Sequence, residues 1–110
     1  IIYKMKDEYL ESLLEIIKSK KNDDPKLSYT AFLHRKGLKE ILEKIKEEAS
    51  ETIFAAEFDG KKELIHEIAD LWFHCLVLLS EKNLKVDDIT NELKKRQGIS
   101  GIEEKKNRRS

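Results

Sequence analysis

Two pairs of carboxylates carry the chemical interest of this 110-residue chain: Glu48 with Glu51, and Glu67 with Asp70. On a helix, a step of three residues puts both side chains on one face about a turn apart, so each pair can converge on one point. Four carboxylates gathered together repel one another, and several must hold protons unless cations neutralise them. Mg²⁺ suits such a group, because it accepts a few carboxylate oxygens, keeps waters and takes its remaining ligands from phosphates. A metal-bound water beside one more carboxylate is then placed to attack phosphorus. Glu47 is that extra carboxylate, either as a further ligand or as the group that orients or deprotonates the water.

Both pairs sit in segments that otherwise read as core-facing helices. On a 3.6-residue period Ile41, Ile45, Thr52 and Ala55 fall within about 40° of one line, with Glu48 almost on it and Glu51 at its edge. Burial is therefore expected for Glu48, and a buried carboxylate needs partners. In the next helix Leu64, Ile68, Leu71, Trp72, Phe73, Cys75, Leu76, Val77, Leu78 and Leu79 go nearly all the way round. Glu67, Asp70 and His74 fill the one gap. His74, four residues after Asp70, is expected to donate a hydrogen bond to that aspartate rather than to bind metal directly. Lys44, one turn before Glu48, is placed to meet a phosphate or to pair with a glutamate. His34 and His66 read as surface residues, Trp72 as packing and Cys75 as core.

The rest of the chain supplies the frame. Met5, Tyr9, Leu13 and Ile16/Ile17 repeat at helical spacing, which predicts a first amphipathic helix over 5–20. The polar stretch Lys20 to Lys26, with the only proline, ends it. Ser28 is a suitable N-cap for a short helix from Tyr29 to Lys36, and Gly37 a suitable stop. Long helices then follow from Leu38 to Phe58 and from Lys61 to Glu81, joined by an Asp59-Gly60 turn. After Asn83, Asp87 or Asp88 is expected to cap a last helix reaching Arg96, and residues 97–110 lack periodicity. The expected fold is all-α: an antiparallel bundle of four to five helices in one domain over 1–110. The apolar surplus on the helix after Gly60 predicts a covering partner, a second copy of the chain, and hence a homodimer.

Composition narrows the classes. Basic and acidic residues balance at 22 each, and the lysines are scattered without interleaved aromatics, so a nucleic-acid partner is not expected. Residues 47–70 nevertheless carry eight acids against two lysines, with basic excess on either side, as suits a metal-bound polyanion. The longest apolar run, Leu76 to Leu79, is too short to cross a bilayer. A lone cysteine and no visible secretory signal fit a reducing, cytoplasmic setting.

The pattern Glu48-Ala49-Ser50-Glu51, fifteen intervening residues, then Glu67-Ile68-Ala69-Asp70 resembles the ExxE…ExxD signature of the all-α nucleoside triphosphate pyrophosphohydrolases, which include MazG-like and dimeric dUTPase-like proteins. Within that superfamily Ser28-Tyr29-Thr30-Ala31, Lys36-Gly37, Lys44 before Glu47-Glu48-Ala49, EIADLWFHCLVLL over Glu67 to Leu79, and the tail GIEEKKNR are similar to phosphoribosyl-ATP pyrophosphatases. The resemblance implies a Mg²⁺-dependent hydrolysis of phosphoribosyl-ATP to phosphoribosyl-AMP and pyrophosphate in histidine biosynthesis, by a dimer standing alone rather than fused to a cyclohydrolase. It maps Glu48, Glu51, Glu67 and Asp70 onto metal ligands, and Glu47 and Glu48 onto the catalytic acids. Ser28, Tyr29, Thr30, Lys36 and Lys44 map onto the substrate site, with Lys105 and Arg108 touching phosphate or the partner subunit. Lys46 and Phe73 depart from the family's usual glycine and tyrosine without removing a ligand. The alternative within the superfamily is a MazG-like house-cleaning enzyme acting on ordinary or damaged nucleoside triphosphates.

Overall fold

A computed structural model describes the backbone of residues 2–97 and the side chains of residues 8–97. Five helices follow in order: α1 (Ile2–Ser19), α2 (Tyr29–Lys36), α3 (Leu38–Phe58), α4 (Lys61–Glu81) and α5 (Val86–Lys95). The tail, with Lys105 and Arg108, and the side chain of Met5 lie outside the described residues. Among the described residues no helix is long and apolar enough to cross a membrane.

Local chemistry accounts for the boundaries. Ser28 is extended, and its Oγ accepts from the Ala31 N–H at 3.1 Å, which starts α2. Gly37 ends it at φ +91°, its N–H donating to the Leu33 carbonyl, and α3 begins at the very next residue. Open space surrounds the place a Cβ would take, so backbone conformation alone asks for glycine there. Gly37→Ala is expected to cost about 1–3 kcal/mol, read as a lower urea midpoint at unchanged slope. At the far end of α4, Asn83 adopts φ 57°; its N–H reaches the Ser80 carbonyl and that of Leu84 the Leu79 carbonyl, closing the helix in a Schellman motif. The last helix starts slightly earlier than expected. Lys85 holds its N-cap position, and Asp88 contributes from inside the first turn by accepting the Lys85 N–H at 2.8 Å.

Two residues, Asp59 and Gly60, join the 21-residue helices α3 and α4, which therefore fold back as an antiparallel hairpin and make the most extensive helix contact among the described residues. The core gathers at the open end of that hairpin, where Ile41 and Val77 meet Leu14 and Ile17 of α1, Leu33 of α2, Leu76 and Val86. Ile17, Leu33, Ile41 and Val77 are completely enclosed. Toward the turn the chain covers much less of itself. Ile53, Phe54, Phe58 and Ile65 are exposed there, and Ala55 is buried on the inner side of α3.

Two expectations for α4 are corrected by this arrangement. Trp72 is 58% exposed and Cys75 also lies at the surface, because α1, α2 and α3 leave that side of the helix uncovered. The packing expected of both is not supplied by this chain.

Candidate active site

The turn sets the register of the acids. In an antiparallel hairpin, residues equally far from the turn face each other. Glu51 lies eight residues before Asp59 and Glu67 seven after Gly60, while Glu48 and Asp70 lie eleven before and ten after. Each acid of α3 thus meets one of α4. Carboxylate oxygens of Glu48, Glu51 and Glu67 come within 4.8 Å of one another, and those of Glu67 and Asp70 form a second group of the same span with a ring nitrogen of His66. Glu67 belongs to both.

Burial makes this cluster costly without a partner. Glu67 is only 9% exposed. Glu48 is half-buried overall, less than its place on the apolar line predicts, yet its Oε2 is fully enclosed. Neither Glu48 Oε2 nor Glu67 Oε2 has a hydrogen-bond partner among the described residues. The Glu67 carboxyl is pushed up to about 7, first by sharing a hydrogen bond with Glu51, then by burial and by the Glu51 charge. Glu48 is raised as well, by burial first and then by Glu51 and Asp70.

His74 is buried, and its bonding corrects the expectation drawn from spacing. Its Nδ1–H donates to the Asp70 main-chain carbonyl at 2.8 Å, not to the carboxylate, because side chains on a helix lean back toward the preceding turn. Since a carbonyl only accepts, Nδ1 carries a proton, and in the neutral ring Nε2 accepts from the Tyr29 hydroxyl at 2.8 Å. The Asp70 carboxylate points instead toward His66, with 3.3 Å between Oδ2 and Nε2. His66 is at the surface as expected, but as a neighbour of the acids.

A family model described as phosphoribosyl-ATP pyrophosphohydrolase matches residues 10–97. The chain belongs to the phosphoribosyl-ATP pyrophosphohydrolase family. A phosphoribosyl-ATP pyrophosphatase of Hydrogenovibrio crunogenus is 48% identical, the match covering 94% of this chain and 96% of that protein. Those of Vesicomyosocius okutanii and Ruthia magnifica are 49% and 52% identical, over 93% and 90% of the chain and 97% and 91% of the relatives.

The other residues expected at the site of this family member are placed unevenly. Tyr29, half-exposed, stands over His74, with its ring centroid 6.2 Å from Phe32 and 6.4 Å from Phe73. Burial raises its phenol; Lys44 opposes that, and Glu48 adds to it. Lys44 pairs with Glu47 at 3.4 Å, and Glu47 stands outside both ligand groups. Ser28 Oγ is engaged as the cap of α2, and Thr30 is buried with its carbonyl taken by His34. The Lys36 ammonium lies 5.8 Å over the Phe32 ring. His34, expected at the surface, is buried and bonded to Ser80 Oγ. Sequence reasoning passed over the ring neighbour Phe32 and the part of His66. For His66 the i,i+4 step to Asp70 was the available signal; for His34, with its partner 46 residues away, there was none.

Taken together, the candidate site is an open face of the α3–α4 hairpin with hard oxygen donors, flanked by Lys44 and by the Tyr29 end of α2. Such a face can hold divalent cations. A separate groove of about 280 Å³ between α1 and α5, lined by Glu11, Leu14, Lys18, Val86 and Asp87, involves none of these residues.

Proposed function

We propose that this protein is the phosphoribosyl-ATP pyrophosphatase of histidine biosynthesis, using Mg²⁺ to hydrolyse 1-(5-phosphoribosyl)-ATP to 1-(5-phosphoribosyl)-AMP and pyrophosphate. The observation that carries the reading is the buried, unpartnered oxygens of Glu48 and Glu67 inside a family match that spans both acid pairs. Those oxygens and the raised Glu67 carboxyl suit a hard cation. Glu48, Glu51, Glu67 and Asp70 would hold it. When bound, Mg²⁺ supplies electrostatic stabilisation of phosphate oxygens and a more acidic water.

The chain's own groups do the rest. Water's oxygen bonds to the attacked phosphorus, the phosphoanhydride bond breaks, and its electron pair leaves with pyrophosphate. Glu47, outside the ligand groups, takes the proton released by the water, and Glu48 orients that water from within the cluster. Lys44 exchanges its pairing with Glu47 for a phosphate. Tyr29, Ser28 and Lys36 border the nucleotide, while Thr30 contributes through the placement of α2.

Pyrophosphate release from phosphoribosyl-ATP, with plain ATP and dUTP alongside, each with Mg²⁺ and with chelator, tests the reading. Selective metal-dependent release from phosphoribosyl-ATP is expected. Turnover of the plain triphosphates alone would move the protein to the house-cleaning class.

A homodimer completes the proposal. Ile65, Ile68, Trp72, Cys75 and Leu79 repeat along α4 at alternating steps of three and four, and three of them are exposed. That is the spacing of a helix seam made for another helix. Trp72→Glu should weaken self-association at least about thirtyfold, as expected for a central tryptophan, and sedimentation would show a shift to the monomer mass. A wild-type chain that sediments as a monomer at every concentration would refute the dimer.

A further inference from the structure

One hydrogen-bond arrangement occurs twice between α2 and α4, in opposite senses. On α2, the His34 Nδ1–H donates to the Thr30 carbonyl at 2.9 Å, one turn back on its own helix. Its Nε2 is left to accept from the Ser80 hydroxyl of α4, at 2.9 Å. On α4, His74 makes the same backward bond to the Asp70 carbonyl, and its Nε2 accepts from the Tyr29 hydroxyl of α2. In each case the carbonyl fixes the tautomer of the neutral ring, so each neutral imidazole has one acceptor to offer, to which the facing hydroxyl donates. His34, His74 and Ser80 are all buried, at 8%, 5% and 2% exposure.

The two ties are spaced to act together. Tyr29 and His34 are five residues apart and their partners His74 and Ser80 six, or about 7.5 and 9 Å along the helix axes. Residue numbers rise together, so α2 runs alongside α4 in the same direction. A single bond leaves an eight-residue helix free to pivot; two bonds a turn and a half apart hold both its rotation and its axial position. Apolar contact at Leu33 cannot replace this, since burial is not directional. Tyr29 opens onto the surface, whereas His34 and Ser80 are enclosed and no sequence motif of the site includes them.

We infer that His34 and Ser80 are positioning residues, whose bond sets α2 on α4 so that Tyr29 is held on His74 beside Asp70 and the nucleotide finds a formed site. The kinetic half of this inference rests on the proposed hydrolysis of phosphoribosyl-ATP; the structural half does not.

Ser80→Ala removes the donor to His34 and touches nothing at the acids. In the metal-free variant the ¹⁵N resonance of His74 Nε2 should move toward that of an imidazole nitrogen without a donor, as Tyr29 drifts away. With substrate, KM should rise about tenfold, the effect of one buried hydrogen bond, while kcat and Mg²⁺ affinity stay within about twofold. In a Tyr29→Phe background the same substitution should add little, because the two act through one bond. Ser80→Cys, of similar volume and with a weak S–H donor, should fall between wild type and Ser80→Ala and replaces it if that variant does not fold. An unmoved His74 resonance overturns the inference whether or not the wild type hydrolyses phosphoribosyl-ATP. A lowered melting temperature at unchanged KM overturns it equally, by showing a purely structural bond. Absence of wild-type turnover counts against the proposed function alone, and the resonance still decides the tie.

Discussion

Glu67→Gln is expected to lower metal-dependent turnover about a thousandfold and, in the same protein, to raise the melting temperature measured without metal. The two effects have one cause. Glu67 belongs to both groups of candidate ligands and sits among Glu48, Glu51 and Asp70 with a buried oxygen that meets no donor. The amide keeps the shape, removes a charge and brings two N–H donors that the neighbouring carboxylates can use. In the metal-free protein, repulsion and a lost hydrogen bond are both relieved. With Mg²⁺ the same change takes away a shared anionic ligand. The several kcal/mol of charge stabilisation that a bound cation supplies correspond to roughly three powers of ten in rate. Thermal melts with and without Mg²⁺ separate these effects. Wild type should gain stability on adding the ion, and the variant should gain little. A variant that melts lower without metal, or that turns over normally, would remove Glu67 from the centre of the site.

Acidity should act on the metal-free protein in the direction opposite to ordinary acid denaturation. A carboxyl raised from 4.5 to about 7 on folding binds its proton more tightly in the native state. Its contribution to stability is therefore complete below pH 4.5 and disappears as the pH climbs through 7. Glu48 is shifted in the same direction and adds to the trend. Divalent ions reverse it, because they replace the proton. Below pH 7 the affinity for Mg²⁺ should rise up to about tenfold per pH unit for each proton displaced, and level off above it. Calorimetric titration in two buffers of different ionisation enthalpy counts the protons released. Binding without proton release at pH 6.5 would contradict the shared-proton picture of Glu67 and Glu51.

What the sequence made legible is what depends on neighbours along the chain. Ser28, Gly37 and Asp59-Gly60 mark their boundaries through their own backbone preferences, and the periodicity between them draws α2, α3 and α4 with the ends the structure shows. The acid pairs were legible for the same reason, since three-residue steps on two helices joined by a tight turn leave little choice of partner. Facing was harder. Trp72 and Cys75 look like core when α4 is read alone, and only the positions of α1, α2 and α3 decide which side of it is covered. His34 shows the limit most clearly. An eight-residue helix has too few positions for periodicity to assign a face, and the group that makes burial of its ring tolerable, the Ser80 hydroxyl, belongs to another helix.

The two-residue connection between α3 and α4 also determines where this chain can change length. With so short a connection to take up the change, one residue added within α4 before Glu67 would turn Glu67 and Asp70 by about 100° and shift them by about 1.5 Å, carrying them off the line of Glu51 and Glu48. The stretch from α1 to α2, nine residues without a ligand in it, can absorb such an insertion with no effect on that alignment. Indels among relatives should therefore collect before Ser28 and after Glu81, leaving the span from Glu48 to Asp70 at one length, as a ruled distance rather than a loop.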